Sequence, residues 1–123
     1  MENKIQNFYD LEAWKIGHNL VLDIYKMTSS FPQEEKFGLV SQLRRASSSI
    51  TANIAEGFGR YHFNDKKKFY YQARGSALEV HNFLILSKDL NFVSSEACNM
   101  LSEKVVKTKV LVNGLIKSIE NQK

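Results

Sequence analysis

The chain has few residues that interrupt helices. One proline and six glycines among 123 residues leave little to break a long helix. A single cysteine, Cys98, excludes an internal disulfide and points to a reducing compartment, so a cytoplasmic location is expected. No apolar run approaches the roughly 18 residues that suggest a membrane span, and no membrane partner is expected. The first ten residues, MENKIQNFYD, lack an apolar core and a cleavage pattern, which predicts no signal peptide. No stretch alternates with period 2 long enough to make a strand. Linkers, repeats and low-complexity segments are also missing. What remains is 43% apolar and 24% charged residues, the balance of an ordinary globular protein with one core. Residues 1–123 read as one domain.

Acidic residues are scarce in the middle of the chain. Between Lys36 and Arg74 stand eight basic residues (Lys36, Arg44, Arg45, Arg60, Lys66, Lys67, Lys68 and Arg74) and two acids, Glu56 and Asp65. That window carries a net +6, which leaves −2 for the rest of a chain whose total is +4. Concentrated basicity is expected of a protein with an anionic partner. A solvated basic face with no partner is the plainer alternative.

Apolar spacing predicts four helices. Residues 1–9 read as an extended lead-in, and Asp10 as the cap of a first helix running to about Ser29. Gly17 lies inside that helix, where it suits close approach of another. Pro32 ends the segment. A second helix is expected from Gln33 to about Phe58, with Glu34 and Glu35 favourably placed at its start. Gly57 and Gly59 mark its exit, and Asn64 is the next candidate cap. The third helix is expected from about Asp65 to Leu90, with Gly75 and Ser76 as a small pair suited to tight packing. Ser94 or Ser95 caps the fourth. There Cys98, Leu101, Val105, Thr108, Val112, Leu115 and Ile119 repeat at alternating steps of three and four, and Leu111 and Ile116 widen the seam. Four such helices with short connections make an all-α, antiparallel up-down-up-down four-helix bundle.

The second helix is the most informative. At about 100° per residue, Leu39, Leu43, Ala46, Ile50, Ile54 and Gly57 share one face. Gln42, Arg45, Ser49, Asn53, Glu56 and Arg60 form a polar stripe that flanks this face. Such a stripe is expected to lie half buried, against a neighbouring helix or a second subunit. Glu56 and Arg60 have the favourable i, i+4 order for an ion pair.

No pattern of catalytic residues emerges. His18, His62 and His81 have no second metal ligand at helical spacing, and Glu56 and Glu79 are the only strong inward-facing carboxylate candidates. No metal site and no cofactor are expected. Ser47, Ser48 and Ser49 lack a patterned histidine and aspartate, and Cys98 reads as a small apolar filler. Gly57-Phe58-Gly59-Arg60 ends a helix, whereas a phosphate loop would precede one. Lys66, Lys67 and Lys68 stand where acids are preferred, at a helix N-terminus. A broken local rule of this kind can mark function. Aromatic residues interleave with these charges (Tyr61, His62, Phe63, Tyr70 and Tyr71), and aromatics can stack on unpaired bases. Core packing is the competing account of Phe63, Phe69 and Tyr70.

Several stretches resemble one bacterial family. They are Leu11-x-x-Trp14, Phe31-Pro32-x-x-Glu35-x-Phe37-Gly38-Leu39-x-Ser41-Gln42-x-Arg44-Arg45-Ala46, Ser49-Ile50-x-Ala52-Asn53-Ile54-Ala55-Glu56-Gly57-Phe58-Gly59-Arg60 and Ala73-Arg74-Gly75-Ser76-x-x-Glu79. Together they resemble the 23S rRNA intervening-sequence proteins, related to accessory variability proteins of retroelements. Thr51 stands where that family usually has proline, which removes an expected kink. The resemblance implies a four-helix protomer that assembles into a ring, typically a homopentamer. A relative within it binds nucleic acid and a reverse transcriptase. On that analogy Arg44, Arg45, Arg60 and Arg74 join Lys66, Lys67 and Lys68 as candidate nucleic-acid contacts. Gln42, Ser49, Asn53, Glu56 and Glu79 become candidates for structural or subunit contacts. Two functions are therefore expected to compete. One is a non-enzymatic homo-oligomer that binds RNA or DNA, and the other an adaptor whose oligomer binds a protein partner.

Overall fold

The computed structural model describes residues 4–122. The first three residues of the expected lead-in lie outside them. Four helices follow one another: α1 (Glu12–Thr28), α2 (Leu39–Gly59), α3 (Phe63–Asp89) and α4 (Ser95–Asn121). They pack as α1 on α2, α2 on α3, α3 on α4 and α4 back on α1. This is the all-α four-helix bundle that the spacing predicts, and no strand occurs among the described residues.

The ends differ from expectation in ways that local chemistry explains. Asp10 does not cap α1. Its carboxylate accepts the backbone N–H groups of Gln6 and Asn7, at 3.1 and 3.0 Å, and so closes a short 3-10 turn over Phe8–Asp10. Leu11 then becomes the residue before the helix. The second helix does not start at Gln33 either. Residues Gln33–Glu35 make a separate 3-10 turn after Pro32, and α2 begins at Leu39. Glu35 keeps the role its charge suggests, since its side chain accepts the Leu39 N–H at 3.3 Å. From there α2 runs unbroken through Thr51, whose hydroxyl donates to the Ser48 carbonyl at 3.1 Å. At the third helix His62, not Asn64, precedes the first helical residue. Asn91 adopts φ 63° and ends α3: Phe92 N–H returns to the Ser87 carbonyl and Asn91 N–H to that of Lys88, the paired bonds of a Schellman turn. Ser94 caps α4 as expected, its hydroxyl accepting the Ala97 N–H at 3.0 Å.

One core fills the bundle. The apolar face of α2 is wholly buried, from Leu39 through Leu43, Ala46, Ile50 and Ile54 to Gly57. In α4 the buried positions are Cys98, Leu101, Val105, Thr108, Val112, Ile116 and Ile119. Ile116 thus takes the place expected of Leu115, because a straight helix of 3.6 residues per turn drifts from a strict heptad. In α3 Tyr70 is buried and Phe69 only partly so. Gly17 does bring α1 close to its neighbours: a Cβ there would meet the Thr51 methyl at 3.2 Å. The Gly75-Ser76 pair divides. Ser76 is buried and donates to the Ser49 hydroxyl at 3.0 Å, whereas Gly75 faces outward with nothing near it.

Candidate nucleic-acid interface

The basic window of the sequence does not fold into one patch. Six of its eight cations lie at the seams or ends of the helices, each with a specific partner, while Lys36 and Lys68 stay exposed. Arg44 lies on the α1–α2 seam. Its Nε donates to Thr28 Oγ1 at 3.0 Å, a second nitrogen donates to the Tyr25 carbonyl at 3.3 Å, and the guanidinium covers the Tyr25 ring at 4.5 Å. A cation is favoured there, at the C-terminal end of α1. Arg45 lies on the α2–α3 seam, bonded to Glu79 at 2.8 Å and to Gln42 at 3.1 Å. Farther along the same seam Arg60 pairs with Glu56 at 3.1 Å and covers the Phe69 ring at 4.7 Å. Arg74 turns the other way, to Asn113 on α4 at 2.9 Å, with its guanidinium over Tyr71. Lys67 shares that α3–α4 seam through Glu120 at 3.5 Å. The fourth seam holds an ion pair that sequence reasoning missed, Lys104 with Asp23. Its partners are 81 residues apart, too far for any local spacing to signal.

Lys66 has the most constrained position of the lysine cluster. Its ammonium donates to the carbonyls of Phe58 and Gly57, at 2.7 and 3.3 Å, and lies 5.5 Å from the Phe58 ring centroid. It therefore satisfies the Phe58 carbonyl at the end of α2 and shares that of Gly57 with the Arg60 N–H. Burial lowers its pKa below the ordinary lysine value. The carbonyls supply partial negative charge in place of a counter-ion. Lys68 remains exposed, with no ion pair among the described residues.

Beside these residues the turn from α2 to α3 carries its own aromatic cluster. Tyr61 is 89% exposed, and its ring meets His62 edge-on at 5.1 Å. Tyr70 lies inward instead, 3% exposed, and burial pushes its hydroxyl pKa up to about 12. Its ring explains Gly57: a Cβ there would lie 2.6 Å from the ring edge. The α2–α3 turn therefore exposes Arg60, Tyr61 and His62 in succession, and Lys68 is exposed six residues farther on, in α3.

The polar stripe of α2 is half buried only at Ser49 and Asn53, with Gln42, Arg45, Glu56 and Arg60 exposed, and it reaches α3 through Arg45, Ser49 and Arg60. Asn53 donates to the Ser49 carbonyl at 2.8 Å and to its hydroxyl at 3.1 Å, and Ser49 accepts from Ser76. Glu56 is exposed, which corrects the expectation that it points inward. Glu79 lies at the surface of the seam, where Arg45 neutralises it. Among the described residues no three histidine, cysteine or acidic side chains come together as metal ligands, and no helix is long and apolar enough to cross a membrane. His18 stacks on Trp14, centroids 4.6 Å apart.

The sequence model of the 23S rRNA-intervening sequence proteins matches residues 9–114. Among solved structures, the chain is similar to a crystal structure from Bacteroides thetaiotaomicron VPI-5482, described as a protein of unknown function from the S23 ribosomal protein family. The TM-score is 0.79 at 21% identity, over 85% of this chain and 95% of that one. Identity at that level shows a shared fold. No curated protein matches the chain.

Proposed function

The chain belongs to the 23S rRNA-intervening sequence protein family, and from that footing we propose that it is a non-enzymatic, cytoplasmic homo-oligomer that binds RNA or DNA. A ring, pentameric by analogy with its family, would repeat one modest contact surface around an axis. The observation that carries the reading is the α2–α3 turn, where exposed Tyr61 and His62 stand between Arg60 and Lys68. Cations draw the phosphate backbone and an open aromatic face stacks an unpaired base, a combination suited to single strands. Support for self-association comes from α3 and α4, whose outer faces hold Leu78, Ile85, Val106 and Val110 exposed. A protein adaptor is the alternative that such apolar faces favour.

Fluorescence anisotropy with a labelled single-stranded oligonucleotide tests the proposal. Affinity is expected to fall by tenfold or more between about 50 and about 200 mM salt, as phosphate contacts require. The variant Tyr61→Ala/Lys68→Glu should lose most binding with an unchanged unfolding midpoint. Lys66 is left intact because its ammonium caps α2, so that charge reversal there would confuse folding with binding. Absence of binding to either RNA or DNA at the lower salt overturns the reading.

A further inference from the structure

Phe37 is 88% exposed, at the tip of the connection between α1 and α2. The connection is well ordered by its own bonds. Glu35 N–H returns to the Pro32 carbonyl, Lys36 N–H to Gln33 and Gly38 N–H to Glu35, at 2.9 to 3.1 Å. The Glu35 carboxylate holds the first N–H of α2, and a Cβ on Gly38 would press on that carboxylate at 3.2 Å. The ring is therefore held outward. The flexible Lys36 side chain lies over it, Nζ 5.5 Å from the ring centroid. Fixing a large apolar side chain in water is unfavourable unless something covers it. A pre-organised side chain also loses little freedom on docking.

A complementary surface occurs elsewhere on the same molecule. Met27 of α1 and Ala97, Met100 and Leu101 of α4 line a shallow apolar groove of about 360 Å³. An apolar space of about 150 Å³ takes a benzene ring, so the groove has room for a phenylalanine side chain and its neighbours. Asp23, Lys26 and Lys104 also line it, and because Asp23 and Lys104 pair with each other, Lys26 is left as its unpaired charge among the described residues. Glu34 stands three residues before Phe37, and both it and Lys26 are exposed without an ion-pair partner among the described residues. The tip and the groove thus match in size, apolarity and charge. α2 and α4 also begin at the same end of the antiparallel bundle, so tip and groove sit at one height. A head-to-tail contact between two such patches advances by rotation with little rise, which favours closure over a filament.

We propose that Phe37 of one copy docks in the α1–α4 groove of the next, with Glu34 meeting Lys26. The inference rests on the homo-oligomer reading above and gives that assembly a specific head-to-tail contact. Light scattering on the full chain tests it. Phe37→Asp and Met100→Glu should each reduce the assembly to the 14.1 kDa protomer with unchanged far-UV circular dichroism, because both side chains are exposed. Mixing the two variants should restore one good contact, between the intact groove of the first and the intact tip of the second. The mixture should then show a species of twice the protomer mass. A Phe37→Asp variant that keeps the parental mass overturns the docking alone, as does a mixture of dissociated variants that stays monomeric. A parental chain that is itself monomeric overturns the oligomer reading and the docking with it.

Discussion

Because α3 starts at Phe63, only Lys66 of the three consecutive lysines lies in the first turn, where cations are disfavoured; Lys67 and Lys68 lie beyond it. Lys66 shows how the conflict resolves at the level of one side chain. It breaks the rule for α3 and satisfies the opposite rule for α2, because its ammonium reaches the last carbonyls of that helix. Its neighbour Tyr70 is the clearest pH-sensitive group. The buried hydroxyl keeps its proton to about pH 12, whereas an unfolded tyrosine loses it near pH 10. In that window the native state holds a proton that the unfolded chain has released, so stability falls as pH rises. The full shift corresponds to about 2–3 kcal/mol. Lys66 acts with the opposite sign, since its lowered pKa makes stability rise with pH toward the ordinary lysine value. Tyr70→Phe should therefore remove most of the alkaline loss. Urea unfolding at about pH 9 and about pH 11 would check this, the variant losing less stability than the parent between the two.

The helices differ in how much of their sequence the core uses. α2 has one buried face, with one flank against α1 through Arg44 and Thr51 and the other against α3 through Arg45, Ser49 and Arg60. α3 and α4 keep uncommitted outer faces, and each carries a glycine there. A Cβ at Gly75 or Gly114 would meet nothing within 4 Å, whereas one at Gly57 would collide with the Tyr70 ring. The two classes should respond oppositely to alanine. Gly75→Ala and Gly114→Ala remove only backbone freedom and should each add about 0.5–1 kcal/mol to the stability of the protomer. Gly57→Ala forces an aromatic ring to move and should cost about 1–3 kcal/mol. Chemical denaturation of the three variants measures both signs. Loss of stability in Gly75→Ala or Gly114→Ala would mean that another surface packs against that glycine.

For the molecule as a whole, the proposed function requires that assembly and nucleic-acid affinity be coupled. Each protomer offers few free cations at the α2–α3 turn, because Arg44, Arg45, Arg60, Lys66, Lys67 and Arg74 already bind partners within the fold. Useful affinity then depends on repetition around an assembly. A dissociated variant such as Phe37→Asp should bind a long single strand at least tenfold more weakly than the parent, with a shallower dependence on salt. It should match the parent on an oligonucleotide too short to reach two subunits. Equal affinity on both lengths would show that one protomer suffices.

Much of this architecture was already legible in the amino-acid order. The four helices, the buried face of α2, the Ser94 cap and the flanking position of the Gln42–Arg60 stripe all follow from spacing and from local bonding between residues three or four apart. Those signals are periodic and short-range, so a linear reading captures them. The charges were read less well. A count over residues 36–74 treats eight cations as one feature, but helical rotation of 100° per residue turns Arg44 toward α1 and Arg45 toward α3. Antiparallel packing then supplies each with a partner from a distant segment, as it does for Arg74 with Asn113 and Lys104 with Asp23. Composition and period determined that this chain makes a helical bundle with a basic middle. Only the tertiary structure decided which of its cations hold helices together and which still face water, because that depends on contacts between residues far apart in the chain.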